Sequence, residues 1–224
     1  MKGVVVVLSG GQDSATCLSI IKSSDAWQPI HTISFDYGQR HRIELECAEK
    51  LSFLAGAIHH VVPINSFSSL IKSNLLNQDT DINAEHPNDR SLPSSFVPGR
   101  NIVFITFAAA LAYTLGIRDI FTGVCQTDYS GYPDCRYSTI RSLQETLQKG
   151  LSAPDMTIHT PLMNLSKAEI IACMEMTGNL DWYAYTHTCY NGKRPPCGEC
   201  PACKLRAKGF AEYGIVDPLL SIGR

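Results

Sequence analysis

Val4 to Leu8 is an unbroken apolar run rich in β-branched residues, as expected of a parallel strand covered on both faces, and Gly10-Gly11 ends it abruptly. A helix is predicted from about Asp13. Ile30 to Phe35 repeats the strand pattern, after which Ile43, Cys47, Leu51, Leu54 and Ala55 form one helical stripe among Glu44, Glu46, Glu49 and Lys50. Ile58 to Val62 reads as a third strand. Asn77 to Pro98 is polar and aperiodic, the pattern of a long functional loop that serves as lid or interface. A buried helix from Arg100 leads to a fourth strand at Asp119 to Val124, and a helix from about Cys135 leads to a short strand at Thr157 to His159. Ser166 and Glu169 fit a capping box, which starts another helix at Lys167. From Tyr185 the chain turns rich in Cys, Pro and Gly, and it closes on a helical pattern from Cys203 to Tyr213.

Strands alternating with helices predict an α/β fold with a doubly wound parallel sheet, Rossmann-like in outline. With 224 residues there is room for one sizeable domain and a small appendage. The expected division is 1–184 for the α/β domain and 185–224 for a tail packed on it.

A formal charge of -2 supplies no basic field to hold a polyanion, so no stable nucleic-acid partner is expected. The longest apolar stretch, Ile102 to Ile117, is interrupted by Thr106, Tyr113 and Thr114 and is too short for a bilayer. No membrane association is expected. Met1-Lys2-Gly3 runs directly into the first strand without a signal-peptide pattern, so the expected location is the cytoplasm. Nine cysteines in a reducing compartment argue against a disulfide framework.

Candidate chemistry begins at Ser9-Gly10-Gly11-Gln12-Asp13-Ser14. A strand that breaks at two glycines and opens a helix aims several amides and the positive helix end at one point, where an oligophosphate fits. The glycines allow close backbone approach, Ser9 and Ser14 offer hydroxyls, and Asp13 is placed to hold magnesium beside the phosphates. The loop has neither the Gly-Lys-Ser/Thr of a Walker motif nor the third glycine of a dinucleotide fingerprint. It resembles instead the loop of the PP-loop (N-type) ATP pyrophosphatases. That class also brings a lysine to the phosphates from a Pro-Leu-x-x-Leu-x-Lys-x-Glu segment, matched here by Pro161 to Glu169 with Lys167 as the lysine. The resemblance implies an adenine-nucleotide alpha-hydrolase-like fold. It also implies a nucleotide held by Leu8, Ser9, Gly10, Gly11, Gln12, Asp13, Ser14, Ala15 and Thr16, with Lys167 on the phosphates and Asp36 and Tyr37 near the adenosine.

Cys189-x7-Cys197-x2-Cys200-x2-Cys203 offers four thiolates, the complete tetrahedral set of a structural zinc. An iron-sulfur cluster and a redox-active Cys-x-x-Cys pair are the rival readings. Cys17, Cys47 and Cys173 fall in helical patterns as small core residues, whereas Cys125 and Cys135 lie nearer the expected cleft.

Three further runs sit at strand ends or helix starts, where open α/β sheets place ligands: Phe35 to His41, Val97 to Asn101, and Asp128 to Arg136. Together with the phosphate loop and the cysteine cluster they make nearly the whole chain resemble the 7-cyano-7-deazaguanine synthases of queuosine biosynthesis. The resemblance implies that 7-carboxy-7-deazaguanine, ammonia and two ATP yield the nitrile through an amide, and that the protein is a homodimer.

Under that reading Asp134, flanked by Tyr129 and Tyr132, is expected to accept the two adjacent N–H donors of a guanine-like edge, with Asp128 beside them. Arg100 or Arg136 is expected to hold the substrate carboxylate or steady the adenylate, and Asp13 and Lys167 complete the catalytic set. His41 is a candidate base or helix cap. The competing functions are a tRNA-thiolating or lysidine-type enzyme with Cys125 and Cys135 as sulfur carriers, and a non-enzymatic nucleotide-binding zinc module.

Overall fold

The computed structural model describes residues 1–39, 42–71, 73, 75–76, 92–127 and 132–221. His41, Asp128, Tyr129 and most of the 77–98 loop therefore lie outside the described residues.

Five parallel strands, β1 (Lys2–Val7), β2 (Trp27–Asp36), β3 (Ile58–Pro63), β4 (Asp119–Thr122) and β5 (Thr157–His159), form one sheet in the order β3-β2-β1-β4-β5. β1, apolar from Val4 onward, sits at the centre, with Val4, Val5 and Val6 fully buried. Because a strand alternates its faces, Val4, Val6 and Leu8 pack into one core while Val5 packs into the other.

The first core takes α1 (Gln12–Lys22), α2 (Ile43–Ala55), α6 (Lys167–Met176) and α7 (Pro201–Tyr213), through Leu18, Leu51, Ile170 and Phe210 among others. The second takes α4 (Arg100–Thr114) and α5 (Tyr137–Gly150), through Phe104, Ile105, Ala108 and Ile140. A single turn, α3 (Asn65–Ser69), follows β3.

The strand order reverses between β1 and β4, and this is the switch point at which such sheets open a crevice at their carboxyl ends. The strands and helices fall where the apolar pattern puts them, with three local differences. β4 stops at Thr122, since Gly123 packs so tightly on α1 that a Cβ there would lie 2.9 Å from the Asp13 carbonyl and the Ser14 nitrogen. The helix expected near Cys135 begins as a 3₁₀ turn at Pro133–Cys135, and α5 proper starts at Tyr137. The last helix starts at Pro201, a proline at its first position, with Cys200 as its N-cap.

Candidate active site

The end of β1 is shaped by its own serines. Ser14 Oγ donates to the Gly11 carbonyl at 3.1 Å and accepts from the Ser9 amide at 3.2 Å, and the two hydroxyls lie 3.0 Å apart. Gly11 is the N-cap of α1 in an extended conformation, and no side chain caps the helix, so its first amides point out over the loop.

Gly10 is the tightest position in the loop. Its φ of +83° belongs to the left-handed region, and a Cβ would come within 2.2 Å of the Glu44 carbonyl oxygen. The loop is thus pressed against the first turn of α2. From its other side the His187 amide donates to the Gly10 carbonyl at 2.9 Å.

Asp13 and Lys167 meet at this loop. Lys167 Nζ donates to Asp13 Oδ2 at 2.7 Å, while Asp13 Oδ1 is buried and has no hydrogen-bond partner among the described residues. Lys167 reaches it from the first position of α6, where both halves of the Ser166–Glu169 capping box are formed. A cation at a helix N-terminus opposes the helix dipole, and the Asp13 carboxylate offsets that cost. Lys167 is also fixed from behind, because a Cβ on Gly209 of α7 would lie 2.6 Å from Lys167 Cβ.

From this loop a cavity of about 360 Å³ extends beneath α4 and the start of α2. Its lining includes Leu8, Ser9, Gly11, Gln12, Asp13, Ser14 and Lys167 of the loop region, and Tyr37, Glu44, Arg100, Phe104, Tyr132 and Tyr190. The second group is largely aromatic. Tyr37 packs edge-on to Phe104 at 5.3 Å, Tyr132 OH lies 2.7 Å from Ser95 Oγ, and the Arg100 guanidinium sits 5.9 Å from the Tyr132 ring centre.

Electrostatics here follow from burial. Removal from water pushes Tyr37 up to about 12 and Glu44 up to about 7, with the Arg100 charge pulling both the other way. Burial also works against the Arg100 charge, but the phenols of Tyr37, Tyr132 and Tyr190 and the Cys135 thiol outweigh it and leave the guanidinium more basic than usual. The chamber therefore carries one firm positive charge and one carboxyl that ionises near neutral pH.

Several of the residues expected at the site take other positions. Ala15 and Thr16 are buried inside α1, Thr16 Oγ1 meeting Tyr183 OH at 2.6 Å, so both support the loop from beneath. Asp36 pairs with Arg42 at 2.6 Å and is not on the cavity wall. Asp134 is buried with Oδ2 accepting the Asn101 amide at 2.9 Å, which caps α4 in place of its N-cap Gly99. Arg136 is exposed as the N-cap of α5, away from the cavity.

Glu44, His187, Thr188 and Tyr190 line the cavity although the sequence pattern did not single them out. Glu44 was hidden among the acidic residues of an amphipathic helix. The other three belong to the tail, which builds one wall of the cavity.

The four tail cysteines converge. The Sγ atoms of Cys189, Cys197, Cys200 and Cys203 all lie within 4.8 Å of one another, and those of Cys197 and Cys203 are 3.9 Å apart. Thiolates on the corners of a tetrahedron with 2.3 Å bonds stand roughly 3.8 Å apart, so the set fits a metal ion. No helix among the described residues is long and apolar enough to cross a membrane.

Comparison with known proteins gives the same picture. A 4-thiouridine synthetase solved with RNA and bound ATP superposes with a TM-score of 0.52 at 14% identity over 95% of this chain and 50% of that one, a likeness of fold. The 7-cyano-7-deazaguanine synthase of Chromobacterium violaceum is 52% identical over 96% of this chain and 92% of its own length. The enzyme of that name from Laribacter hongkongensis is 52% identical over 97% and 93%. Residues 3–214 match the family described as queuosine biosynthesis protein QueC. With that match and these relatives, the chain belongs to the QueC family.

Proposed function

We propose that the chain is an ATP-dependent carbon–nitrogen ligase that converts 7-carboxy-7-deazaguanine and ammonia into 7-cyano-7-deazaguanine, acting in queuosine biosynthesis. The observation that carries this reading is the continuity of one cavity, which joins a phosphate loop to an aromatic chamber bearing Arg100. An acceptor carboxylate held at one end can thus meet the α-phosphate held at the other.

The chemistry follows from leaving groups. A carboxylate resists ammonia because oxide leaves poorly. Attack of a carboxylate oxygen on the α-phosphorus expels pyrophosphate and forms an acyl adenylate. Ammonia then adds to the acyl carbon, the C–O bond to AMP breaks, and a proton is lost to give the amide. A second ATP is attacked by the amide oxygen, again expelling pyrophosphate, and loss of AMP together with the nitrogen's protons leaves the triple bond. Two ATP become two AMP and two pyrophosphate.

The α1 amides, with Ser9, Gly11 and Ser14, hold the phosphates, and Lys167 adds a positive charge at the same place. Asp13, through its unpartnered Oδ1, is the residue to hold magnesium, which when bound neutralises phosphate charge. Arg100 holds the substrate carboxylate. Tyr37 and Tyr132, both on the cavity wall, are taken to lie against the adenosine and the substrate; Asp36, Asp134 and Arg136 stand off that wall, and Asp128 and Tyr129 lie outside the described residues.

We assign zinc to Cys189, Cys197, Cys200 and Cys203. Four thiolates fill its coordination, so its role is to order the 185–224 tail against the 1–184 domain. We further take the protein to be a cytoplasmic homodimer that uses free ammonia or a partner's product, with no stable nucleic-acid partner.

The test is direct. Incubation with ATP, magnesium, ammonium and 7-carboxy-7-deazaguanine, followed by mass spectrometry, is expected to show first the amide and then the nitrile. AMP and pyrophosphate must accompany them; ADP and phosphate, or neither product, would reject the reading.

A further inference from the structure

We infer that Glu44 is the residue that reads the guanine-like edge of the substrate, accepting its ring N–H and its exocyclic amine together. The inference rests on the function proposed above and adds to it the side chain that sets base specificity.

A guanine-like edge presents two adjacent N–H donors, and one ionised carboxylate is the side chain that accepts both. Among the described residues the cavity wall has two acidic side chains, Asp13 and Glu44. Asp13 is committed to Lys167 at the phosphate end. Asp134, the other acid near the chamber, spends Oδ2 on the Asn101 amide and does not reach the wall. Glu44 remains.

Its placement is fixed rather than incidental. It lies in the first turn of α2, and its own carbonyl is packed against Gly10 of the phosphate loop. A purine-like ring held by Glu44 therefore has a set distance from the nucleotide. Around it stand Tyr37 from the end of β2, Tyr190 from the tail, and Arg100 from α4. Arg100 and Glu44 feel each other's charge, yet no ion pair closes between them, and no hydrogen bond ends on the Glu44 carboxylate among the described residues. An acceptor and a cation that share one partly aromatic cavity wall without pairing suit a flat bicycle that carries both N–H donors and a carboxylate.

The experiment compares two substrates: 7-carboxy-7-deazaguanine and its analogue without the exocyclic amine. Wild type is expected to favour the first in kcat/KM by about 100-fold or more, because the analogue leaves a buried acceptor half satisfied. In Glu44→Gln the preference should shrink below about tenfold, mostly through a raised KM for the full substrate. Glu44→Asp, which keeps the carboxylate on a shorter stem, should recover part of it. Calorimetric binding of 7-deazaguanine and 7-deazahypoxanthine to the same three proteins provides a readout independent of turnover, and a thermal melt with ATP confirms each variant is folded.

If wild type forms the nitrile but both variants keep its preference, the assignment of Glu44 is wrong and the function stands. Equal loss of kcat on both substrates, with the preference intact, would place Glu44 in proton transfer and likewise overturn the inference. If wild type turns over neither substrate and binds neither deazapurine selectively, the proposed function fails first and the inference with it.

Discussion

Lys167 Nζ donates a 2.7 Å hydrogen bond to Asp13 Oδ2, tying the first turn of α6 to the first turn of α1 across 154 residues of sequence. Each partner offsets the cost of the other: Lys167 at a helix N-terminus is disfavoured without an anion, and Asp13 supplies one, while Asp13 Oδ1, which has no hydrogen-bond partner among the described residues, is left for a further cation.

Lys167→Met should therefore lower kcat/KM for pyrophosphate release by about 100- to 1000-fold, the range for removing a fixed charge from a developing oxyanion. Asp13→Asn should cost a similar amount. Because both act on one phosphate group, the double variant should lose much less than the product of the single losses. Steady-state pyrophosphate release on all three variants checks this, and simple multiplication of the losses would show that the two act independently.

Gly209→Ala tests how Lys167 is held. A methyl group there meets Lys167 Cβ at 2.6 Å and Ile171 Cδ1 at 3.5 Å, so α7 or Lys167 must shift. Overpacking of this kind costs about 1–3 kcal/mol. The urea midpoint should fall accordingly, and activity should drop although residue 209 is outside the cavity. Unchanged activity in a destabilised protein would mean that α7 yields and Lys167 stays.

The glycine turn after β1, the place of Lys167 beside it and the convergence of the four cysteines were legible because each is defined by local spacing: a strand broken by glycines, a capping box, and Cys-x-x-Cys pairs. The sheet was legible for the same reason, since its central strand carries four consecutive valines. What sequence did not give is which side of a helix meets a cavity. Glu44 sits among Glu46, Glu49 and Lys50 and reads as solvated, yet the close contact of Gly10 with its carbonyl pulls that turn under the loop. Asp134 is the opposite case. It lies in a run rich in aromatic and polar residues, but the amide it accepts, Asn101 in the first turn of α4, lies 33 residues earlier, a pairing that no local pattern encodes.

Asp134→Ala follows from that pairing. Losing the acceptor for the Asn101 amide should cost about 1–2 kcal/mol of stability, as for other helix caps. Asp134→Asn keeps an acceptor oxygen and should cost less. Substrate preference between 7-carboxy-7-deazaguanine and its deaminated analogue should survive in both variants. Collapse of that preference in Asp134→Asn would return base reading to Asp134.

Glu44 also gives a pH signature. Burial raises its carboxyl from the ordinary 4.5 to about 7, against the pull of Arg100, with Tyr37, Tyr190 and Cys47 close by. Between those two values the folded protein binds more protons at this site than the unfolded chain does. The contribution of Glu44 to stability is therefore best below about pH 4.5 and declines as pH rises to about 7. Urea midpoints at pH 5 and pH 7.5 should show Glu44→Gln gaining on wild type at the higher pH. Parallel profiles for the two proteins would mean that the carboxyl ionises freely.

Loss of the proposed zinc should be felt at the Gly10–Gly11 turn. The His187 amide, two residues before Cys189, donates to the Gly10 carbonyl, and the buried Arg206 of α7 binds Asp217 through both oxygens while also reaching Thr186 and Thr188. The segment leading into the cysteine cluster is thus fastened at both ends. A structural zinc contributes on the order of 10 kcal/mol to ordering such a segment, far more than its apolar contacts can supply. Chelation, or Cys200→Ser, should lower the melting temperature by at least about 10 °C, since each 1 kcal/mol moves a domain of this size by a few degrees. ATP affinity should fall in step, because Gly10 loses its His187 contact and Thr188 and Tyr190 leave the cavity wall. Adding zinc back to the chelated protein should restore both properties, and ATP affinity that survives metal loss would show that the loop holds its shape without the tail.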